Sequence, residues 1–97
     1  MRIISTKVFR QFAILHPDCG KQLNLFVKDL EKQNFDNPNQ LKSYFLNVSL
    51  LNDNRIVLNV HGNDYRLVVK INYLAKIVFV RFLGTHAEYD KIDANKI

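Results

Sequence analysis

The sequence predicts an α+β domain: an N-terminal strand, two to three helices, then an antiparallel three-stranded meander and a short C-terminal helix. Two observations carry that prediction. In the first half, Leu23, Phe26, Val27 and Leu30 recur at the spacing of a helix buried on one side. From Arg55 onward the grammar changes to three β-rich runs, RIVLNV, YRLVVKINY and KIVFVRFL, separated by turn signals. Helices followed by strands, rather than the two in alternation, mark the α+β class. With 97 residues there is material for one domain, expected to span residues 1–97. An apolar fraction of 47% against 24% charged is that of a chain that folds rather than one that stays disordered.

The elements follow in order. MRII reads as a short strand, and Ser5 as the N-cap of a first helix over roughly residues 6–15, with Val8, Phe9, Phe12 and Leu15 as its buried stripe. HPD breaks that helix, and Asp18 is placed to cap a second. The opposite face of this second helix carries Lys21, Lys28, Glu31 and Lys32, a pattern typical of a solvated surface. Asn37 as cap and Pro38 at the first helical position begin a third helix running to about Phe45, and an Asn- and Asp-rich loop leads into the meander.

A two-residue turn at Gly62 and Asn63 sets the first hairpin. Val60 then faces Tyr65, Leu58 faces Leu67 and Ile56 faces Val69 on a core side, while Asn59 faces Arg66 and Arg55 faces Lys70 on a polar, basic side. For the second hairpin, a two-residue loop at Ala75 and Lys76 puts Val78, Val80 and Phe82 on the core side and Arg81 opposite Lys70. That register keeps an unpaired guanidinium out of the core and leaves Phe79 and Leu83 on the basic side. Carried onward, it sets Thr85 opposite Arg66 and brings His86 and Tyr89 beside Arg66, Lys70 and Arg81.

Charge and cysteine usage limit the function classes. A net charge of +5 favours a polyanionic partner, RNA or an acidic protein. Cys19 stands alone, with no partner for a disulfide, and no apolar run has signal-peptide or membrane-spanning length, so a cytoplasmic, non-membrane protein is expected. His16, His61 and His86 are scattered and offer no zinc spacing. P-loop, GxSxG and dinucleotide-binding turns are missing. No metal and no cofactor is expected.

The stretch GTHAEYDKID, residues 84–93, holds the chemistry. Thr85 and Glu88 form a capping box for a short helix from His86. On it His86 and Tyr89 share a face, and Asp90 lies four residues from His86, where a carboxylate can orient or charge the ring. Metal-free RNA cleavage, in which a 2′-hydroxyl attacks its own 3′-phosphate, requires a base, an acid and cations that hold the charge of a phosphorane-like transition state. His86, Tyr89, Arg66 and Arg81 are candidates for those catalytic roles, and Lys70 and Arg55 on the basic face for RNA contact. A competing reading is a non-catalytic basic domain that binds RNA or protein. It accounts for the charge, but not for His86 with Tyr89 beside Arg66.

The segments MRIIS, NDYRLVVKINY and VRFLGTHAEYDKID together resemble HigB toxins of the RelE superfamily, over nearly the whole chain. The resemblance implies a RelE-like fold and a ribosome-dependent mRNA interferase, acting on the ribosome and mRNA and inhibited by a HigA-type antitoxin. Operator DNA would be met only indirectly, through that antitoxin. By position, the family's motif arginines fall on Arg66 and Arg81, its histidine on His86 and its tyrosine on Tyr89, with Lys70 and Lys91 as weaker carry-overs that would contact RNA. The helical region from His16 to Phe45 matches in pattern more than in residues, as expected of a scaffold and antitoxin-facing surface.

Overall fold

A computed structural model describes residues 1–97 apart from Ser5, His61, Asn63 and the side chain of Thr6, so the Ser5 cap and the Asn63 turn position lie outside the described residues. The chain runs β1 (Arg2–Ile4), α1 (Thr6–Leu15), α2 (Pro17–Lys32), α3 (Pro38–Tyr44), β2 (Val48–Leu50), β3 (Arg55–Val60), β4 (Tyr65–Asn72), β5 (Ile77–Thr85) and α4 (His86–Tyr89). This is the α+β order that the sequence predicts. The strands form one five-stranded sheet, ordered β1-β5-β4-β3-β2. It is mixed rather than purely antiparallel: β1 lies parallel to β5, while the other neighbours are antiparallel. The expected loop before the meander contains β2, whose three residues are too few to show a strand alternation.

The helices pack where their apolar stripes dictate, with two corrections. On α1, Phe9 and Phe12 are buried, but Val8 is 37% and Leu15 74% exposed, because the helix meets α2 and β5 along the Phe9–Phe12 line and its last residue runs past them. Asp18 does not cap α2. His16 occupies the N-cap without a side-chain bond, and Pro17 fills the first helical position. Both oxygens of the Asp18 carboxylate accept the Tyr65 hydroxyl at 3.0 Å, which ties the helix to β4 instead. Asn37 does cap α3, its Oδ1 accepting the Gln40 N–H at 3.0 Å.

Strand alternation divides the sheet into two faces. Ile56, Leu58, Val60, Leu67, Val69, Ile71 and Val78 pack with Leu23, Phe26, Val27, Leu30 and Leu41 in the main core beneath the helices. On the opposite face, Val57 and Val68 form a smaller cluster with Phe82, Tyr89, Ala94 and Ile97, so the C-terminal residues lie across the side expected to be polar.

The first hairpin has the predicted register, from Arg55↔Lys70 to Val60↔Tyr65. The second does not. Asn72 pairs with Ile77, and Asn72 Oδ1 accepts the Ala75 N–H at 2.9 Å, closing a four-residue turn that ends at Lys76 with φ 60°. Relative to expectation the pairing is displaced by two residues, and because strand faces repeat every two, Val78 and Val80 still face the helices. Lys70 therefore pairs with Phe79, not Arg81.

A bulge between Val68 and Val69 then leaves Arg81 as the extra residue and reverses the faces beyond it. Leu83 packs against the main core and Phe82 joins the opposite cluster, the reverse of the predicted placement. Gly84, rather than Thr85, stands opposite Arg66. Physically, the bulge keeps the Arg81 guanidinium in water while giving both Phe82 and Leu83 an apolar neighbourhood.

Candidate active site

The final turn of the chain is assembled by local rules. The Thr85 side chain accepts the Glu88 N–H at 3.2 Å, and Glu88 Oε1 accepts the Thr85 N–H at 2.9 Å, completing the predicted capping box. Hydrogen bonding from the Thr85 backbone, then from its side chain, holds the Glu88 carboxyl below its ordinary range. The His86 N–H donates to the Asp64 carbonyl at 2.9 Å, which fastens α4 to the end of the first hairpin.

On that turn, His86 Nδ1 lies 3.0 Å from Asp90 Oδ2, at the i,i+4 spacing visible in the sequence. At that distance the carboxylate can orient the ring, and Nδ1 facing it would leave Nε2 turned toward a ligand. The imidazole is 46% exposed and open to a ligand. Tyr89 packs edge-on against Phe82, ring centroids 6.2 Å apart, and the Arg66 guanidinium carbon sits 5.8 Å from the Tyr89 ring centre. Gly84 makes this possible: a Cβ there would stand 2.7 Å from Phe82 Cζ and 3.1 Å from Glu88 Oε1.

The structure thus brings His86, Tyr89 and Arg66 to one corner, with Asp90 as a fourth member. The other predicted cations lie on β3 (Arg55), β4 (Lys70), β5 (Arg81) and just after α4 (Lys91). Arg81 is exposed at the bulge and has no partner among the described residues. Lys70 pairs with Asp53 at 2.9 Å, and that hydrogen bond, then the charges of Lys70 and Arg55, lowers the Asp53 carboxyl. Lys91 is exposed just beyond α4.

Arg55 is the clearest departure. Only 8% exposed, it donates from Nε to the Ile97 main-chain oxygen at 2.5 Å and pairs with Asp53 at 3.3 Å, serving as an anchor for the C-terminal residues rather than as a surface cation. Phe82 and Gly84 were not among the sequence-derived site residues. Their part depends on the bulge, which leaves no local signature, whereas Asp90 had its spacing to announce it.

Among the described residues, no three His, Cys, Asp or Glu side chains converge as a metal site. An imidazole 3.0 Å from a carboxylate, on the same turn as a tyrosine whose ring lies near an arginine, is an arrangement suited to a polyanion. Residues 19–92 match the HigB toxin family, described as the RelE-like toxic component of a toxin–antitoxin system. The chain is 31% identical over 94 residues to the mRNA interferase HigB of Escherichia coli O6:H1, covering 95% of this chain and 91% of that protein. It is 28% identical over 92 residues to the mRNA interferase HigB of Shigella flexneri, covering 93% and 88%. The chain belongs to the HigB toxin family of toxin–antitoxin systems. An antitoxin partner follows from that membership, and no helix among the described residues is long and apolar enough to cross a membrane.

Proposed function

We propose that this protein is an endoribonuclease that cuts mRNA engaged with the ribosome, as a single cytoplasmic domain inhibited by a HigA-type antitoxin, with operator DNA met only through that partner. The observation that carries the reading is the His86–Asp90 pair at 3.0 Å beside Tyr89 and Arg66. The relatives' names, mRNA interferase HigB, support the substrate class.

In the proposed step the substrate's 2′-oxygen forms a bond to its own 3′-phosphorus while the bond from phosphorus to the 5′-oxygen breaks. His86 and Tyr89 divide the work of taking the 2′ proton and delivering one to the leaving 5′-oxygen. Asp90 holds the imidazole with Nε2 available. Arg66, and Arg81 from the bulge, stabilise the charge gathering on the phosphorane, and Lys70 and Lys91 hold flanking phosphates. The products carry a 2′,3′-cyclic phosphate and a 5′-hydroxyl, and the balance requires no metal ion.

The test is mRNA cleavage in a translating extract, comparing the parent with His86→Gln. Cleavage should fall by orders of magnitude at unchanged thermal stability; cleavage unaffected by the substitution removes His86 from the mechanism. Recovery of 5′-phosphate ends would replace 2′-hydroxyl attack by attack of activated water. A parent that binds RNA or its antitoxin but cuts nothing would establish the binding-domain reading.

A further inference from the structure

We propose that a cavity beside Lys70 on the face of the sheet opposite the helices is a nucleotide subsite, in which an RNA base stacks on Phe79 while Lys70 and Arg81 hold its flanking phosphates and Asn54 and Asn72 meet the base edge. The inference rests on the functional reading above and adds to it a determinant of which nucleotides are accepted. The cavity has a volume of about 470 Å³, and these five residues line it. That volume falls within the roughly 300–1,000 Å³ of sites that hold small organic ligands.

Phe79 carries the argument. It is directly paired with Lys70 across β4 and β5 and therefore shares the basic face. It is only partly buried and belongs to neither hydrophobic cluster, nor does its ring contact another aromatic ring among the described residues. A partly exposed ring that neither apolar cluster takes up, beside two cations, matches the way single-stranded RNA is held, on aromatic platforms flanked by cations.

The surrounding groups suit a nucleotide. Arg81, the extra residue of the bulge, is exposed and has no side-chain partner among the described residues. Asn72 Oδ1 is occupied by the Ala75 N–H, which leaves its amide hydrogens as donors, and the left-handed conformation of Asn54, φ 59°, sets a second amide at the rim. Lys70 is shared with the exposed Asp53 carboxylate, which a phosphate has to displace. Along β4, Lys70 lies four residues from Arg66, about 13 Å at roughly 3.3 Å per residue, with Arg81 between the two levels. The base belongs either to the mRNA being cut or to ribosomal RNA, and the chemistry of recognition is the same.

The experiment compares the whole protein with Phe79→Leu, Phe79→Tyr and Asp53→Asn, each first shown to melt like the parent, by mapping the cuts made in a reporter mRNA in a translating extract. Phe79→Leu should lower cleavage about tenfold, the loss of one stacked base, and Phe79→Tyr should restore it. Asp53→Asn should strengthen ribosome association by freeing Lys70. A changed preference among the nucleotides flanking the cut identifies the base as one of the mRNA. Lost ribosome association with unchanged cut positions identifies ribosomal RNA. Cleavage by Phe79→Leu at the parent's rate and positions overturns the subsite and leaves the enzyme reading intact. If the parent cuts nothing, the enzyme reading fails instead, and the subsite is judged by the anisotropy of a labelled oligouridylate at low salt. Phe79-dependent binding supports the subsite there; binding indifferent to Phe79, or none, overturns it.

Discussion

Replacing Gly84 with alanine tests the contact that holds the active corner together. The new Cβ would stand 2.7 Å from Phe82 Cζ, 3.3 Å from its Cε2 and 3.1 Å from Glu88 Oε1. Neither neighbour yields easily. Phe82 is wedged edge-on against Tyr89, and Glu88 Oε1 is held by the Thr85 N–H at 2.9 Å. Gly84 has no positive φ, so alanine brings no backbone strain and gains about 0.4–1 kcal/mol by restricting the unfolded chain. Overpacking costs about 1–3 kcal/mol, and a contact as close as 2.7 Å calls for the upper part of that range, about 2–3, so the net loss is about 1–2.6 kcal/mol. For a domain of this size each kcal/mol lowers the melting midpoint by roughly 4–8 °C, readily seen by circular dichroism. Relief requires Phe82 to move, and Tyr89 moves with it, so cleavage measured well below both midpoints should drop by more than the folded fraction does. A variant as stable as the parent with full cleavage would refute the idea that the Gly84–Phe82–Glu88 contact positions Tyr89.

Neighbouring residues on β4 should part company. Arg66→Ala should cut cleavage strongly while changing urea stability by less than about 1 kcal/mol, whereas Leu67→Ala, at 1% exposure in the core, should cost about 2–5 kcal/mol. Arg55→Ala should loosen the C-terminal residues and cost about 1–3 kcal/mol without altering the salt dependence of ribosome association; Lys91→Ala should leave stability unchanged and lower the log–log salt slope by roughly 0.7–0.9. Tyr73 has a buried hydroxyl with no partner among the described residues, so Tyr73→Phe should raise stability by about 1 kcal/mol. Burial also pushes the Tyr73 phenol up to about 12 from an ordinary 10.0. A raised folded pKa means its stabilising share is intact below pH 10 and lost as pH climbs toward 12, so alkaline unfolding should be less steep in Tyr73→Phe.

What the sequence determined by itself is whatever short-range rules settle. The capping box at Thr85 and Glu88 and the spacing of His86 to Asp90 lie within one helical turn, where partners are fixed by separation along the chain. The register of the first hairpin follows from its turn and from the alternation of RIVLNV and YRLVVKIN. The far end of β5 is another matter. Whether Phe82 or Leu83 turns toward the helices depends on what waits on each side, and the small cluster that receives Phe82 is completed by Ala94 and Ile97, beyond the strand and after another helix. The same C-terminal residues bury Arg55, which pattern alone set on an open basic face. A strand pattern records that two faces differ but not what later covers the second one. That covering, with the bulge that lets Arg81 stay in water, is decided by burial among residues distant in sequence, and only the tertiary structure expresses it.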